Sequence, residues 1–431
     1  MSAFSNSAPC GRAKAMIERY FPTLWSPLEA ALATMLAMAP DDVVNPPTCI
    51  LVGPSSAAKT TVLDIIGELE GITYRSDKFT PKALVSHAAN VKRTDLEKID
   101  LLPRIKHRVL LTPELAPLFR GNEDALTETF SILAAVLDGH GYTSDSGTQG
   151  RRGYTGDDYL FAWLGATTPL PTYVWKVMAQ LGSRLFFYAM PEGSPTIEAL
   201  VAGLTTDIPY RTKVQCCHAV SRALLEARLT ELGGAVRSIT WQRTNDPSPV
   251  VEEIARWARL LAQLRGVVSV AQDHTRNGEE FVSYSPPNIE APYRAAAVLY
   301  NLARGRALLW GRRQLMPEDL VLVKHVVLSS APMERGVLLH ELLHSPVGLT
   351  TSAVGRLLKV SAPTARKFMR TLELLDVAEL SGDDISGHVL SLAPAWDWCR
   401  GSQTHTLPSG FQGGGGESET GVCETEEIDL A

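Results

Sequence analysis

The stretch from Thr48 to Ile66 constrains this fold more than any other part of the chain. Thr48-Cys49-Ile50-Leu51-Val52 is an apolar run without polar alternation, the pattern of a strand covered on both faces, as in a parallel sheet. It runs into Gly53-Pro54-Ser55-Ser56-Ala57-Ala58-Lys59-Thr60-Thr61 and then the apolar helix of Val62, Leu63, Ile65 and Ile66. Strand, loop, then helix is the context in which G-x-x-x-x-G-K-[ST] binds nucleotide phosphates, here with Ala58 in place of the second glycine. The expected phosphate-binding set is Gly53, Ser55, Ser56, Ala57, Ala58, Lys59, Thr60 and Thr61. Backbone N–H groups and the helix N-terminus face phosphate, Lys59 reaches the β and γ oxygens, and the Thr60 hydroxyl meets Mg²⁺. If position 58 needs a positive φ, alanine costs about 1 kcal/mol or more there. The plainer alternative is that Ala58-Lys59-Thr60-Thr61 only opens a helix.

Further apolar runs at 108–112, 159–164 and 185–189 are separated by segments long enough for helical crossovers, such as 126–137. Residues 46–193 are therefore expected to form one α/β unit. The run 108–112 leads into Pro113-Glu114, which makes Glu114 the candidate to anchor metal and to activate water, or else a helix cap. Residues 1–45 read as a helical lead-in. Helical spacing at 214–232, 250–266 and 292–309 makes 194–333 a mostly helical unit.

The 431 residues carry 41 Lys+Arg against 47 Asp+Glu. Beyond Arg400 there are six acids, Glu417, Glu419, Glu424, Glu426, Glu427 and Asp429, and no base, so the remainder is formally neutral. Any binding of DNA must then use a local basic face. Residues 401–431, with Gly413 through Gly416 and those acids, read as disordered, with a partner-docking peptide as one use of the acids. The six cysteines form no C-x-x-C pair, and no apolar run reaches the roughly 18 residues a membrane span needs, so a reduced cytoplasmic setting without membrane insertion is expected.

Between 334 and 400 the period changes. A helix over 334–344 precedes Ala353-Val354-Gly355-Arg356-Leu357-Leu358-Lys359, a turn at Val360-Ser361, and a helix opening at Ala362-Pro363. Runs at 377–380 and 388–392 around Ser381-Gly382-Asp383-Asp384 complete a module that resembles a winged helix-turn-helix. Its basic residues Arg356, Lys359, Arg366, Lys367 and Arg370 are the expected DNA contacts, with use for protein contacts alone as the alternative.

The order of motifs resembles an AAA+ ATPase, specifically the minichromosome-maintenance-type helicase branch and its bacterial mobile-element relatives, over roughly residues 46–400. Gly165-Ala166-Thr167-Thr168-Pro169 resembles the segment in which a polar side chain, here Thr168, orients the lytic water. Ser183-Arg184-Leu185-Phe186 resembles the segment whose arginine enters a neighbouring subunit's nucleotide site, and Arg294, in Pro292-Tyr293-Arg294, falls at the lid arginine of that branch. The resemblance implies a parallel-sheet core with a helical lid, ATP and Mg²⁺ as cofactors, a homo-oligomeric ring, expected as a hexamer, and ATP-driven remodelling or unwinding of DNA. Ala58, Pro113 and Thr168 depart from that pattern, so slow turnover, or a nucleotide switch without turnover, is the alternative. Remoter still is a zinc peptidase through His340-Glu341-Leu342-Leu343-His344, with Glu373, Glu379 or His388 as third ligand. Further basic groups occur at Arg304, Arg306, Arg312 and Arg313, and at Arg151-Arg152 beside Tyr154, where related ATPases insert a DNA-gripping hairpin, with a solvated loop as an equal alternative.

Overall fold

A computed structural model describes residues 4–88, 91–147, 150–156, 158–182, 184–191, 196–274, 280–383 and 387–400. Helices α1 (Phe4–Tyr20) and α2 (Trp25–Leu36) precede β1 (Thr48–Val52) and α3 (Lys59–Ile66). Then come β2 (Thr73–Arg75), α4 (Arg93–Ile99), α5 (Leu101–Ile105), β3 (Val109–Thr112), α6 (Glu123–Leu137) and the hairpin β4 (Gly141–Ser146) with β5 (Gly150–Thr155). The sheet is completed by β6 (Ala162–Thr167) and, after α7 (Thr172–Gln180), β7 (Phe187–Ala189). A helical region follows: α8 (Ile197–Thr205), α9 (Tyr210–Leu232), α10 (Ser248–Arg265), the hairpin β8 (Val270–His274) with β9 (Glu280–Tyr284), α11 (Tyr293–Leu309) and α12 (Leu320–Ser329). The last module holds α13 (Met333–His344), β10 (Leu349–Thr350), α14 (Thr351–Leu358), α15 (Ala362–Leu374), β11 (Ala378–Ser381) and β12 (Val389–Leu392).

The chain is thus a mixed α/β protein. Its main sheet has the order β2-β3-β6-β1-β7 with every pairing parallel. β1, β3, β6 and β7 are buried along their whole lengths. Alternate side chains enter two cores, as the period of a strand requires. Cys49, Leu51, Leu111, Leu164 and Tyr188 pack with α2 and α3, whereas Ile50, Leu110, Trp163 and Phe187 pack with α6 and α7. The connections leaving β1 and β6, which are neighbours, therefore depart over opposite faces. A crevice opens at such a switch point, beyond the carboxyl ends of the strands.

Residues 1–45 are more than a lead-in. All of α2 except Ser26 is buried, between the sheet and α11. At their crossing a Cβ on Gly305 would lie 2.0 Å from the Ala33 carbonyl oxygen, so only glycine lets the two backbones meet. The same apolar core continues through α9–α12 into the final module. There Arg335 donates to the Leu264 and Gly266 carbonyls, each at 2.6 Å, and Trp398 meets Trp257 edge-on at 5.2 Å. In that module α13, α14 and α15 pack with a sheet of order β10-β12-β11.

Several expectations shift. The run 159–164 gives a strand that starts later and extends through Gly165, whose Cβ would lie 2.3 Å from Leu115 Cδ1. The short edge strand β2 and the hairpin β8–β9 are additions to the expected pattern. Asp384 and residues 401–431 lie outside the described residues. Among the described residues no helix is long and apolar enough to cross a membrane.

Candidate functional site

The carboxyl ends of the central strands fall side by side, because Val52 is in register with Thr167 and with Ala189, and Thr112 with Gly165. The loop after β1, Glu114 after β3 and Thr168 after β6 are therefore separated by one or two strand spacings of roughly 5 Å. The sequence predicts this convergence, and the sheet order produces it.

Ser56 (φ 66°) and Ala58 (φ 58°, ψ 19°) both take left-handed backbone, and Ala58 caps α3. Such alternation turns successive N–H groups toward one side, the form of an anion-binding nest, and the first N–H groups of α3 add to it. Gly53 is buried, and a Cβ there would come within 3.1 Å of Met190 Cβ. Lys59 is buried as well, and its Nζ donates to the Gly53 and Pro54 carbonyls at 2.7 and 2.5 Å. Burial lowers the Lys59 pKa, against the opposing pull of the Glu114 carboxylate. Lysine and glutamate thus share one field. Glu114 itself is exposed, and its Oε1 accepts the Ala116 N–H at 2.8 Å, so it also caps a turn, as the plainer expectation held.

Thr60 is exposed toward solvent, whereas the Thr61 hydroxyl lies 2.7 Å from the Tyr210 hydroxyl of α9. The Thr61 side chain therefore belongs to the joint between α3 and α9. Thr168 is half-buried past the end of β6. The sequence overlooked Thr167. Its carbonyl accepts the Gly53 N–H at 3.3 Å, and its fully buried Oγ1 finds no hydrogen-bond partner among the described residues. A buried hydroxyl without a partner carries a penalty of about 1–3 kcal/mol, so it is a polar group available at the loop's edge.

A cavity of about 520 Å³ is lined among others by Pro22, Trp25, Ser26, Tyr188, Pro191 and His325, and by no residue of the loop. Tyr188 stacks on His325 at 3.9 Å, and its hydroxyl lies 2.6 Å from Ser26 Oγ. Glu29, Arg306, Trp310 and Glu318 also line the cavity. It forms only when α1, α2, β7 and α12 meet, so no local sequence signal could reveal it.

Arg184 and Arg294 are brought together, but far from this loop. Both contact Asp138, Arg184 Nη2 at 3.1 Å and Arg294 Nη1 at 3.0 Å, and Arg184 also donates to the Leu181 and Gly182 carbonyls. The Arg184 carbonyl accepts from Thr48, the first residue of β1. The pair therefore sits at the amino ends of the strands, about 16 Å from the loop at 3.3 Å per residue of β1. Neither guanidinium can reach the loop of its own chain.

On the last module, Arg356 and Lys359 lie on or next to α14, and Arg366, Lys367 and Arg370 on α15. Arg366 and Arg370 are exposed, Lys367 is half-buried, and Arg370 pairs with Glu373. Two other expectations need correction, the zinc site and the basic surface of the lid arginines. His344 Nδ1 lies 2.8 Å from the His340 carbonyl oxygen, the rings lie 4.5 Å apart, and among the described residues no three potential metal ligands assemble. Arg304, Arg306 and Arg312 face inward, to Asp42, Asp319 and Glu29, rather than forming a basic surface. Arg152 and the Tyr154 hydroxyl both bind the fully buried Asp100, stapling the β4–β5 hairpin to the body. No family model and no curated protein matches this chain.

Proposed function

We propose that this chain is an AAA+ type ATPase with a helical lid and a winged-helix module, using ATP to remodel or unwind DNA. The observation that carries the proposal is the loop after β1, with left-handed Ser56 and Ala58 and with Lys59 in the field of Glu114.

In this reading Lys59 leaves the Gly53 and Pro54 carbonyls for the β and γ oxygens of the bound nucleotide. Thr168 orients a water, and Glu114 takes its proton as the water oxygen bonds to the γ-phosphorus and the bond to ADP breaks. The donor set fits Mg²⁺, a hard cation that takes oxygen ligands: the Thr60 hydroxyl and Glu114 carboxylate would hold it, and it would neutralise phosphate charge. Arg184, and with it Arg294, would act on the nucleotide of a neighbouring copy, which requires a head-to-tail assembly, as a ring if it closes. The exposed row of α15 would meet DNA phosphates.

A second reading, a nucleotide switch without turnover, is favoured by one observation: Glu114 already accepts the Ala116 N–H. Titration with a fluorescent ATP analogue and with labelled duplex DNA tests the common ground. Binding of both ligands, with nucleotide affinity lost in Lys59→Ala and DNA affinity kept, is expected. Nucleotide binding unchanged in Lys59→Ala would remove the loop from the argument.

A further inference from the structure

The cavity of about 520 Å³ between α1, α2, β7, α11 and α12 falls within the roughly 300–1,000 Å³ of small-molecule sites, and none of the proposed ATPase chemistry uses it. Glu29, only 9% exposed, stands in its wall. The Glu29 Oε1 accepts from Trp310 Nε1 at 2.6 Å and lies 3.1 Å from Arg306 Nη2, whereas its Oε2 receives no donor among the described residues. That oxygen is not sealed off, and so opens on the cavity that its residue lines. An ionised carboxylate accepts at both oxygens, so half of this one's capacity is unused. Glu318, exposed at the rim, has no ion-pair partner among the described residues.

The cations of the lining are already engaged. Lys324 Nζ lies 3.0 Å from Glu253, Arg306 spans Glu29 and Asp319, and Lys14 stands 3.8 Å from Glu18. A ligand therefore meets spare acceptors and few spare donors. Much of the wall is aromatic: Trp25 meets Trp310 edge-on at 6.5 Å, and Tyr188 stacks on His325. The Arg306 guanidinium carbon lies 5.8 Å from the Trp310 ring centre, so this wall already accepts one cation. We propose that the cavity binds a small organic cation, a primary amine on an aromatic or aliphatic body, with its ammonium on Glu29 Oε2 and its body against Trp25 and Trp310. Glu318 adds attraction at the mouth. A carboxylate or phosphate ligand would instead face Glu29 and Glu318, with only the loosely paired Lys14 to receive it. Because the walls come from both the N-terminal helices and the α11–α12 pair, the bound amine would tie them together and stabilise the fold. None of this rests on the nucleotide reading.

Isothermal titration calorimetry on the full chain with phenethylamine, phenethyl alcohol and hydrocinnamate, ligands of similar size that differ in charge, tests it. Phenethylamine is expected to bind about tenfold tighter than the alcohol, as a hydrogen bond to a charged group implies, and hydrocinnamate to bind weakest. Glu29→Gln should remove the preference for the amine. Glu318→Gln, at an exposed position, should weaken the amine by up to about fivefold and lower its salt dependence. Ser26→Phe, which fills the cavity from an exposed position, should abolish binding. Circular dichroism verifies each fold, and if Glu29→Gln does not fold, the other two variants carry the test. Equal affinity for amine and alcohol, tighter binding of hydrocinnamate, amine binding unchanged by Ser26→Phe, or no binding of the amine would overturn the proposal. So would adenosine binding in place of the amine and lost in Ser26→Phe, which would make the cavity part of a nucleoside site.

Discussion

Replacing Ala58 by glycine should stabilise the protein, a reversal of the usual sign for alanine to glycine. At φ 58° and ψ 19° the residue is left-handed. For an L-residue that conformation costs about 1–2 kcal/mol that glycine does not bear. Glycine in turn loosens the unfolded chain, an opposing effect of about 0.4–1 kcal/mol. The difference leaves Ala58→Gly more stable by up to about 1.6 kcal/mol. Ala57, which like Ala58 packs against the core, is the control, because its φ is not among the positive ones, so Ala57→Gly gains no relief and destabilises by about 0.5–1 kcal/mol. Urea unfolding of the two variants reads the difference in sign. Because the left-handed turn is already formed without nucleotide, the relief is common to free and bound protein, and nucleotide affinity should change little. Equal destabilisation at both positions would mean that the left-handed turn at Ala58, and the nest built on it, is wrong.

Gly305→Ala forces a Cβ to within 2.0 Å of the Ala33 carbonyl oxygen, and urea unfolding should register a loss of about 3 kcal/mol as α2 and α11 are pushed apart. For Asp42, burial pushes the carboxyl up, but hydrogen bonds and charge from Arg304 and Arg243 outweigh it and hold the pKa below the ordinary value. A depressed folded pKa stabilises above the unfolded value and is lost as pH falls through the folded one. Asp42→Asn should therefore flatten the acid side of a stability-against-pH curve, roughly below pH 4, and leave the neutral slope alone. Replacing both Arg366 and Lys367 by alanine should lower the slope of log affinity against log salt for duplex DNA by about 0.9 for each phosphate no longer neutralised, with binding weakened similarly across sequences.

What could be read in advance follows from where the determinants lie along the chain. β1, β3 and β7 announce themselves because both their faces are covered, which leaves unbroken apolar runs. β6 is blurred at both ends, since Leu160 and Phe161 are buried without being strand, while Gly165 and Thr167 continue the strand for reasons of packing and pairing. β2 is three residues at the sheet edge and leaves no period to detect. The loop after β1 was legible because its residues are contiguous in sequence. The cavity was not, as its walls come from residues as distant as Trp25, Tyr188 and His325. The arginines show the same limit: Arg304 looks like surface charge until Asp42 is placed beside it, and Arg184 shows its distance from the loop only when Thr48 is found holding its carbonyl.

Steady-state ATP hydrolysis, with and without single- and double-stranded DNA, in wild type, Lys59→Ala and Glu114→Gln, probes the proposed motor most directly. Turnover that DNA stimulates, and that both substitutions abolish while Glu114→Gln still binds nucleotide, is the predicted result. Wild-type turnover no higher than that of Lys59→Ala would contradict it, leaving the switch if nucleotide still binds and neither reading if it does not.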